Sequence, residues 1–260
     1  LVKASFERID MRRHTGAHAR MGATDVVPFV PVTGVTMDDC AALARRLGQR
    51  VGDELGVPVY LYEHAATRPE RRSLADIRKG EYEALPDKLK TPEFAPDFGP
   101  ATFVPSFGAV VIGARDFLVA YNVNLNVTDK RWANRVAFDV REKGRAGDDE
   151  NGGEPGLLKA VRGVGWYIPE YGCAQVSMNL VDLDVTPLHV AFDTCEQSAR
   201  QRGMRVTGSE LVGLVPRRSI LDAGRHYLER MGRSPGVPER DLVHVAVRSL
   251  GLNEAARFEP

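Results

Sequence analysis

Residues 163–182 read GVGWYIPEYGCAQVSMNLVD, two strand-forming runs on either side of PEYG. Aromatic and β-branched residues suit a pleated, half-buried strand, and the Pro and Gly of PEYG suit a tight reversal. This stretch therefore predicts two neighbouring strands, residues 158–168 and 174–183, joined by a short turn. Upstream, FLVAYNVNL at 117–125 alternates like a third strand, and 129–143 carries helical spacing. Downstream, residues 187–203 read as a helix with Pro187 in its first turn, and 204–215 as extended chain. The order β-α-β-β-α-β is that of a ferredoxin-like unit, here followed by helices near 220–231 and 239–250.

The first half is less regular. Residues 1–11 suggest the end of a helix, with Gly16 and Gly22 punctuating a loop around His18. DVVPFVPV at 25–32 reads as a strand that its two prolines push to an edge. Thr36 opens a helix with acidic residues in its first turn; Cys40, Leu43, Leu47, Val51 and Leu55 keep helical spacing, and Gly56 ends it. VPVYLY at 57–62 is a short strand, and 72–90 are helical but divided at Gly80 and Pro86. From 91 the chain turns rich in Pro, Gly and Phe, which favours turns and extended segments. Four phenylalanines between 91 and 113 point to a pocket or core edge rather than a linker.

Composition excludes some functions. The 260 residues carry 35 basic and 35 acidic side chains, so bulk attraction to nucleic acid or an anionic membrane has no support. Three dispersed cysteines, Cys40, Cys173 and Cys195, read as reduced thiols in a cytoplasmic protein. No apolar run is long enough for a transmembrane helix, and the opening residues lack a signal peptide's apolar centre.

Of six histidines, His14 and His18 share RRHTGAHARMGATD, residues 12–25. Their spacing would suit a metal on a helix, but Gly16 and the lack of a third ligand argue for no metal. His18, among small neighbours, is better placed as an acid–base group, with a loop histidine bonded to a carbonyl as the plainer alternative. His64, His189, His226 and His244 fall on helix starts or faces and read as structural. No serine-nucleophile elbow, phosphate loop or dinucleotide fingerprint is present.

Several blocks in order resemble the formiminotransferase domains: IDMRRHTGAHARMGATDVVPFVPV (9–32), APDFGPATFVPSFGAVVIGAR (95–115), FLVAYNVNLN (117–126), GVGWYIPEYGCAQVSMNLVD and GSELVGLVP (208–216). The resemblance spans nearly the whole chain. It implies an α/β (α+β) protein of two ferredoxin-like subdomains, 1–113 and 114–260. The first would lack its opening strand and the start of its first helix. It implies a cytoplasmic glutamate formimidoyltransferase of histidine degradation and one-carbon metabolism. Such an enzyme moves a formimidoyl group between 5-formimidoyltetrahydrofolate and L-glutamate. It would use tetrahydrofolate as carrier and no metal, as a homodimer without nucleic-acid or membrane partners. His18 would be catalytic. The folate segment would comprise Gly99, Pro100, Ala101, Thr102 and Phe103, then Val104, Pro105, Ser106, Phe107 and Gly108, its glycines and prolines forming a preformed wall. A side chain at Gly108 would then obstruct folate more than it alters the fold. Phe98, Phe103 and Phe107 are candidates for the folate's aromatic surface, with a core role open for at least one of them. Arg20 and Arg115 are candidates for substrate carboxylates, with a surface ion pair as the alternative for either. Transfer of formyl from 5-formyltetrahydrofolate, or folate binding without turnover, remain the competing functions.

Overall fold

The computed structural model describes residues 1–16, 19–146, 153–254 and 258. The chain divides into two compact units, Leu1–Asp116 and Phe117–Pro260.

The first unit runs α1 (Val2–Arg8), β1 (Val26–Phe29), α2 (Met37–Leu55), β2 (Val59–Glu63), α3 (Leu74–Arg78), α4 (Glu81–Lys88) and β3 (Val110–Ala114). Thr36 and Asp39 form a reciprocal capping box at the start of α2, and Gly56 closes the helix at φ +63°. The most buried face of α2 is made of small residues: Ala41, Ala44, Gly48 and Gly52 join Cys40 and Val51. Leu43, Leu47 and Leu55, the larger members of the expected stripe, are only half-buried. Small side chains there let other chain segments come close. Gly80 divides α3 from α4 as expected, whereas Pro86 sits inside α4, where its missing N–H removes one helical hydrogen bond.

Here the ferredoxin-like expectation fails for the described strands. They order β1-β3-β2, with β1 and β2 both parallel to β3. The physical reason is the connections: α2 separates β1 from β2, and α3 with α4 separates β2 from β3, so no hairpin is available. Long helical crossovers give parallel neighbours. All five residues of β3 are buried, as are four of five in β2, the continuous apolar pattern of strands covered on both faces. β1 is an edge strand, as expected from the prolines of 25–32, of which Pro28 falls inside it; β2 forms the other edge among the described strands. The carbonyls of Asp25 and Phe29 face β3, so the nitrogen of Pro28, out of phase with them, faces the open side where no donor is needed.

The second unit runs β4 (Val119–Leu125), α5 (Lys130–Val140), β5 (Val161–Ile168), β6 (Cys173–Leu180), α6 (Leu188–Arg200), β7 (Val206–Val212), α7 (Arg217–Arg230) and α8 (Glu239–Leu250). Its antiparallel sheet orders β5-β6-β4-β7, the ferredoxin-like arrangement. One face, with Tyr121, Val123, Leu125, Ala174, Val176 and Met178, packs into the core with residues of α5 and α6. Strand alternation sends Asn122, Asn124 and Gln175 to the other face. Among the described residues, no helix is long and apolar enough to cross a membrane.

Candidate active site

In the first unit the two blocks singled out for chemistry meet. Gly22 and Gly108 form an antiparallel bridge. Around it, Ala23 N–H donates to Phe107 O at 2.8 Å, Ala109 N–H to Met21 O at 3.0 Å and Met11 N–H to Ser106 O at 2.9 Å. Only glycines permit this seam. A Cβ at Gly22 would lie 2.2 Å from Ala109 O, and one at Gly108, where φ is +80°, would lie 2.1 Å from Met21 O. The loop's other end is also tied down. Asp25, itself at φ +58°, accepts Met21 N–H at 2.8 Å and a contact from Arg78.

The segment 99–108 is braced at both ends. Before it, Asp97 forms a buried ion pair with Arg71 at 2.6 Å and accepts Leu61 N–H at 2.9 Å. Phe98 O accepts Val59 N–H at 3.0 Å. Gly52 of α2 is so close that a Cβ there would meet Gly99 N at 2.5 Å. Within the segment, Gly108 N–H donates to Val104 O at 2.7 Å, and Tyr82 O–H donates to Pro105 O at 2.6 Å. Tyr82 also packs on Phe103, ring centres 5.3 Å apart. Gly99, Pro100, Ala101, Thr102 and Pro105 remain exposed, with Phe103, Val104 and Ser106 half-buried.

One open alternative closes here and one expectation changes. Phe107 is 1% exposed and packs on Phe6 at 5.5 Å, so it takes the core role and Phe103 keeps the more open ring. Phe98, also half-buried, packs against the core beside Gly48. Gly108 is a close backbone contact of the seam: the clash of an added side chain is with Met21 O, so substitution there strikes the fold first.

His18 lies outside the described residues. Arg20 is described, and it is engaged. Its guanidinium donates to Glu83 at 2.8 and 3.3 Å and to His14 O at 3.1 Å, and lies 5.6 Å from the Tyr82 ring centre. The hydrogen bond from Arg20 holds the Glu83 carboxyl below its usual range. Arg115 follows β3 and donates to Asp116 O at 2.8 Å. Burial pushes the Tyr62 phenol up, with the Arg115 charge opposing it. Among the described residues no group of three or more His, Cys, Asp or Glu side chains is placed to hold a metal ion. His189 and His226 stack at 4.2 Å, and His226 Nε2 lies 3.1 Å from Asp193, which also accepts from Tyr227 and Arg230. Asp193, His226 and Arg230 of this helix-face cluster also line an open depression with Glu196, Gln197 and Arg200.

The second unit adds residues that sequence reading passed over. On the sheet face away from the core, Trp166 Nε1–H donates to Gln175 Oε1 at 2.6 Å. Gln175 Nε2 donates to Asn124 Oδ1 at 2.7 Å and to Glu210 Oε1 at 2.9 Å. Asn122 Nδ2 also donates to Glu210 Oε1, and Tyr171 O–H, from the PEYG turn, donates to Glu210 Oε2, both at 2.9 Å. Gln175 is fully buried and both asparagines are 5% exposed. The available signal was the pair of asparagines in YNVNL: uncharged amides at alternate positions of a strand are an unusual choice for a face meant only to meet water.

The first unit thus carries a glycine-seamed loop with exposed small residues, and the second, taken by itself, a sheet face floored by amides; the chain is an α/β protein of two units. Comparison with known proteins is specific. The formiminotransferase domain matches residues 120–260, and the formiminotransferase domain, N-terminal subdomain, matches residues 1–115; the chain belongs to this family. It is 48% identical over 259 residues to the formimidoyltransferase-cyclodeaminase of Rattus norvegicus, covering 100% of this chain and 47% of that protein. It is 42% identical to the glutamate formimidoyltransferase of Thermoplasma acidophilum, covering 94% of this chain and 78% of that one. The glutamate formimidoyltransferase of Streptococcus pyogenes is 40% identical over 88% of this chain and 73% of its own length. The chain thus spans about half the length of the two-activity relatives it matches.

Proposed function

We propose that this protein is a glutamate formimidoyltransferase, passing a formimidoyl group between 5-formimidoyltetrahydrofolate and L-glutamate. The observation that carries the reading is the glycine seam. It joins the RMG of one family-like block, Arg20–Met21–Gly22, to the end of the other, Phe107–Gly108–Ala109, although the two lie far apart in sequence. The names of the Thermoplasma and Streptococcus relatives support the same activity. Residues 1–113 and 114–260 serve as the two subdomains, in a cytoplasmic homodimer that uses tetrahydrofolate as carrier substrate and no metal.

The chemistry asked of the chain is modest. The α-amine of glutamate attacks the formimidoyl carbon only when neutral, and His18, two residues before Arg20, is the base assigned to take its proton. The imidazolium then returns a proton to the departing folate nitrogen. General acid–base help of this kind contributes about 10²–10⁴-fold, and holding both substrates together contributes much of the rest. The exposed stretch Gly99–Thr102 with Phe103 offers the folate a preformed surface. Arg20 is the better of the two carboxylate candidates only where a substrate displaces Glu83.

The test incubates purified protein with glutamate and either 5-formimidoyl- or 5-formyltetrahydrofolate, followed by mass spectrometry. N-formimidoylglutamate is the expected product; N-formylglutamate alone moves the assignment to formyl transfer, and folate binding without product leaves a binding protein. His18→Ala should lower turnover at least ~10²-fold while folate still binds; near-normal turnover removes His18 from the mechanism.

A further inference from the structure

The polar face of the second unit has a fixed hydrogen-bond direction. An indole N–H can only donate, so Trp166 makes the atom of Gln175 that it meets the amide oxygen. The Gln175 nitrogen then donates to Asn124 and Glu210, making the contacted atom of Asn124 its oxygen. A carboxylate oxygen only accepts, so Asn122 turns its nitrogen to Glu210. Three groups are left over with no protein partner among the described residues: the Asn122 oxygen, the Asn124 nitrogen and the remaining acceptor capacity of Glu210, whose carboxylate takes three donors. Both asparagines are 5% exposed as residues, yet neither leftover amide atom is sealed from solvent, so each is open to a ligand that can pair with it.

We propose that this face reads the pyrimidinone edge of the pterin ring, an inference that rests on the folate-dependent function above. That edge presents two donors, the 2-amino group and N3–H, followed by one acceptor, the 4-oxo oxygen. The protein offers the complement: two acceptors, on Glu210 and Asn122, and one donor, on Asn124. Glutamate fits poorly, because its two carboxylates would face the Glu210 carboxylate. The strands make the pattern rigid. Trp166 pairs with Gln175 in the β5–β6 register, Gln175 with Asn124 in the β6–β4 register and Asn122 with Glu210 in the β4–β7 register. Asn122, Asn124 and Glu210 determine specificity for the carrier's head group; Trp166 and Gln175 are positioning residues that set which atom each one shows.

The test uses two ligands that differ in the 4-substituent and therefore at N3, tetrahydrofolate (4-oxo, N3–H a donor) and tetrahydroaminopterin (4-amino, N3 an acceptor), titrated by calorimetry, with p-aminobenzoylglutamate as a probe lacking the pterin. The wild-type protein should prefer the 4-oxo compound by about 10-fold or more. Asn124→Asp keeps the acceptor that Gln175 needs and replaces the free donor with an acceptor, so it should reduce that preference, the N3 mismatch at Asn122 remaining, while p-aminobenzoylglutamate binding is unchanged. An unaltered preference, or equal loss of both ligands, overturns the inference while transferase activity of the wild type leaves the proposed function standing. A wild-type protein that neither binds tetrahydrofolate nor turns over removes both. Should Asn124→Asp fail to fold by circular dichroism, Trp166→Phe decides. Releasing the indole lets the amides turn over, so the 4-oxo preference should fall; a preference kept in full overturns the proposal.

Discussion

The two units solve the same problem, holding a surface still, by different means. The first does it mostly with backbone: a glycine seam, helped by one buried side-chain ion pair, pins two loops whose own residues are largely small. The second does it with side chains, a chain of amides laid across the strands of an antiparallel sheet. Backbone bracing leaves the exposed atoms of the loop chemically plain, so it shapes a surface. Amide bracing leaves defined donors and acceptors, so it selects among ligands. The two designs differ accordingly in where they break.

The largest loss is expected at Asp97. Its pair with Arg71 is nearly sealed from solvent, the side chains 6% and 4% exposed. Asp97→Ala leaves the buried guanidinium charge with only the carbonyls of Glu93 and Ala95 and the Tyr60 ring, and should cost about 3 kcal/mol in urea denaturation. Gly108→Ala comes next, at nearly as much, because it combines a positive φ with a contact against Met21 O that no rotamer relieves. In the second unit Ser209→Ala removes the acceptor of the buried Tyr121 phenol, whose hydrogen bond is 2.9 Å, and the donor to Leu250 O; about 2 kcal/mol is expected. Gly172→Ala is the mildest. Its φ of +60° carries backbone strain, but nothing lies within 4 Å of the added carbon, so about 1 kcal/mol is expected. Thermal melts of the two glycine variants side by side give the sharpest reading. Equal losses at Gly108 and Gly172 would mean that the seam is no tighter than an open turn, and the contrast between the units would collapse.

Local chemistry was legible where local chemistry decides. The Thr36 cap, the Gly56 stop, the PEYG reversal and the edge position of the proline-bearing strand are all set by residues within a few positions of each other. Strand direction in the first unit was not, since nothing in VPVYLY or AVVIGA states which neighbour it will take; that followed from the helical crossovers. The burial of Phe107 was likewise a matter of register, since one residue's shift along SFGAV exchanges an open ring for a buried one. The amide face escaped notice because its members, Asn122, Asn124, Trp166, Gln175 and Glu210, belong to four strands, and only the sheet puts them in one row. The resemblance blocks do hold each of them, which is where an eye for polar residues at alternate strand positions could have begun.

The glycine seam also constrains what the chain can become. At Gly22 and Gly108 an added methyl group would press on carbonyl oxygens of the opposite strand, atoms that every amino acid possesses. Trimming a neighbouring side chain therefore cannot make room, as it could in an ordinary core. A library randomised at both positions should return glycine at each one independently, with no compensating pairs. The two sites would look unlinked to any method that detects contacts through correlated change, although their backbones touch.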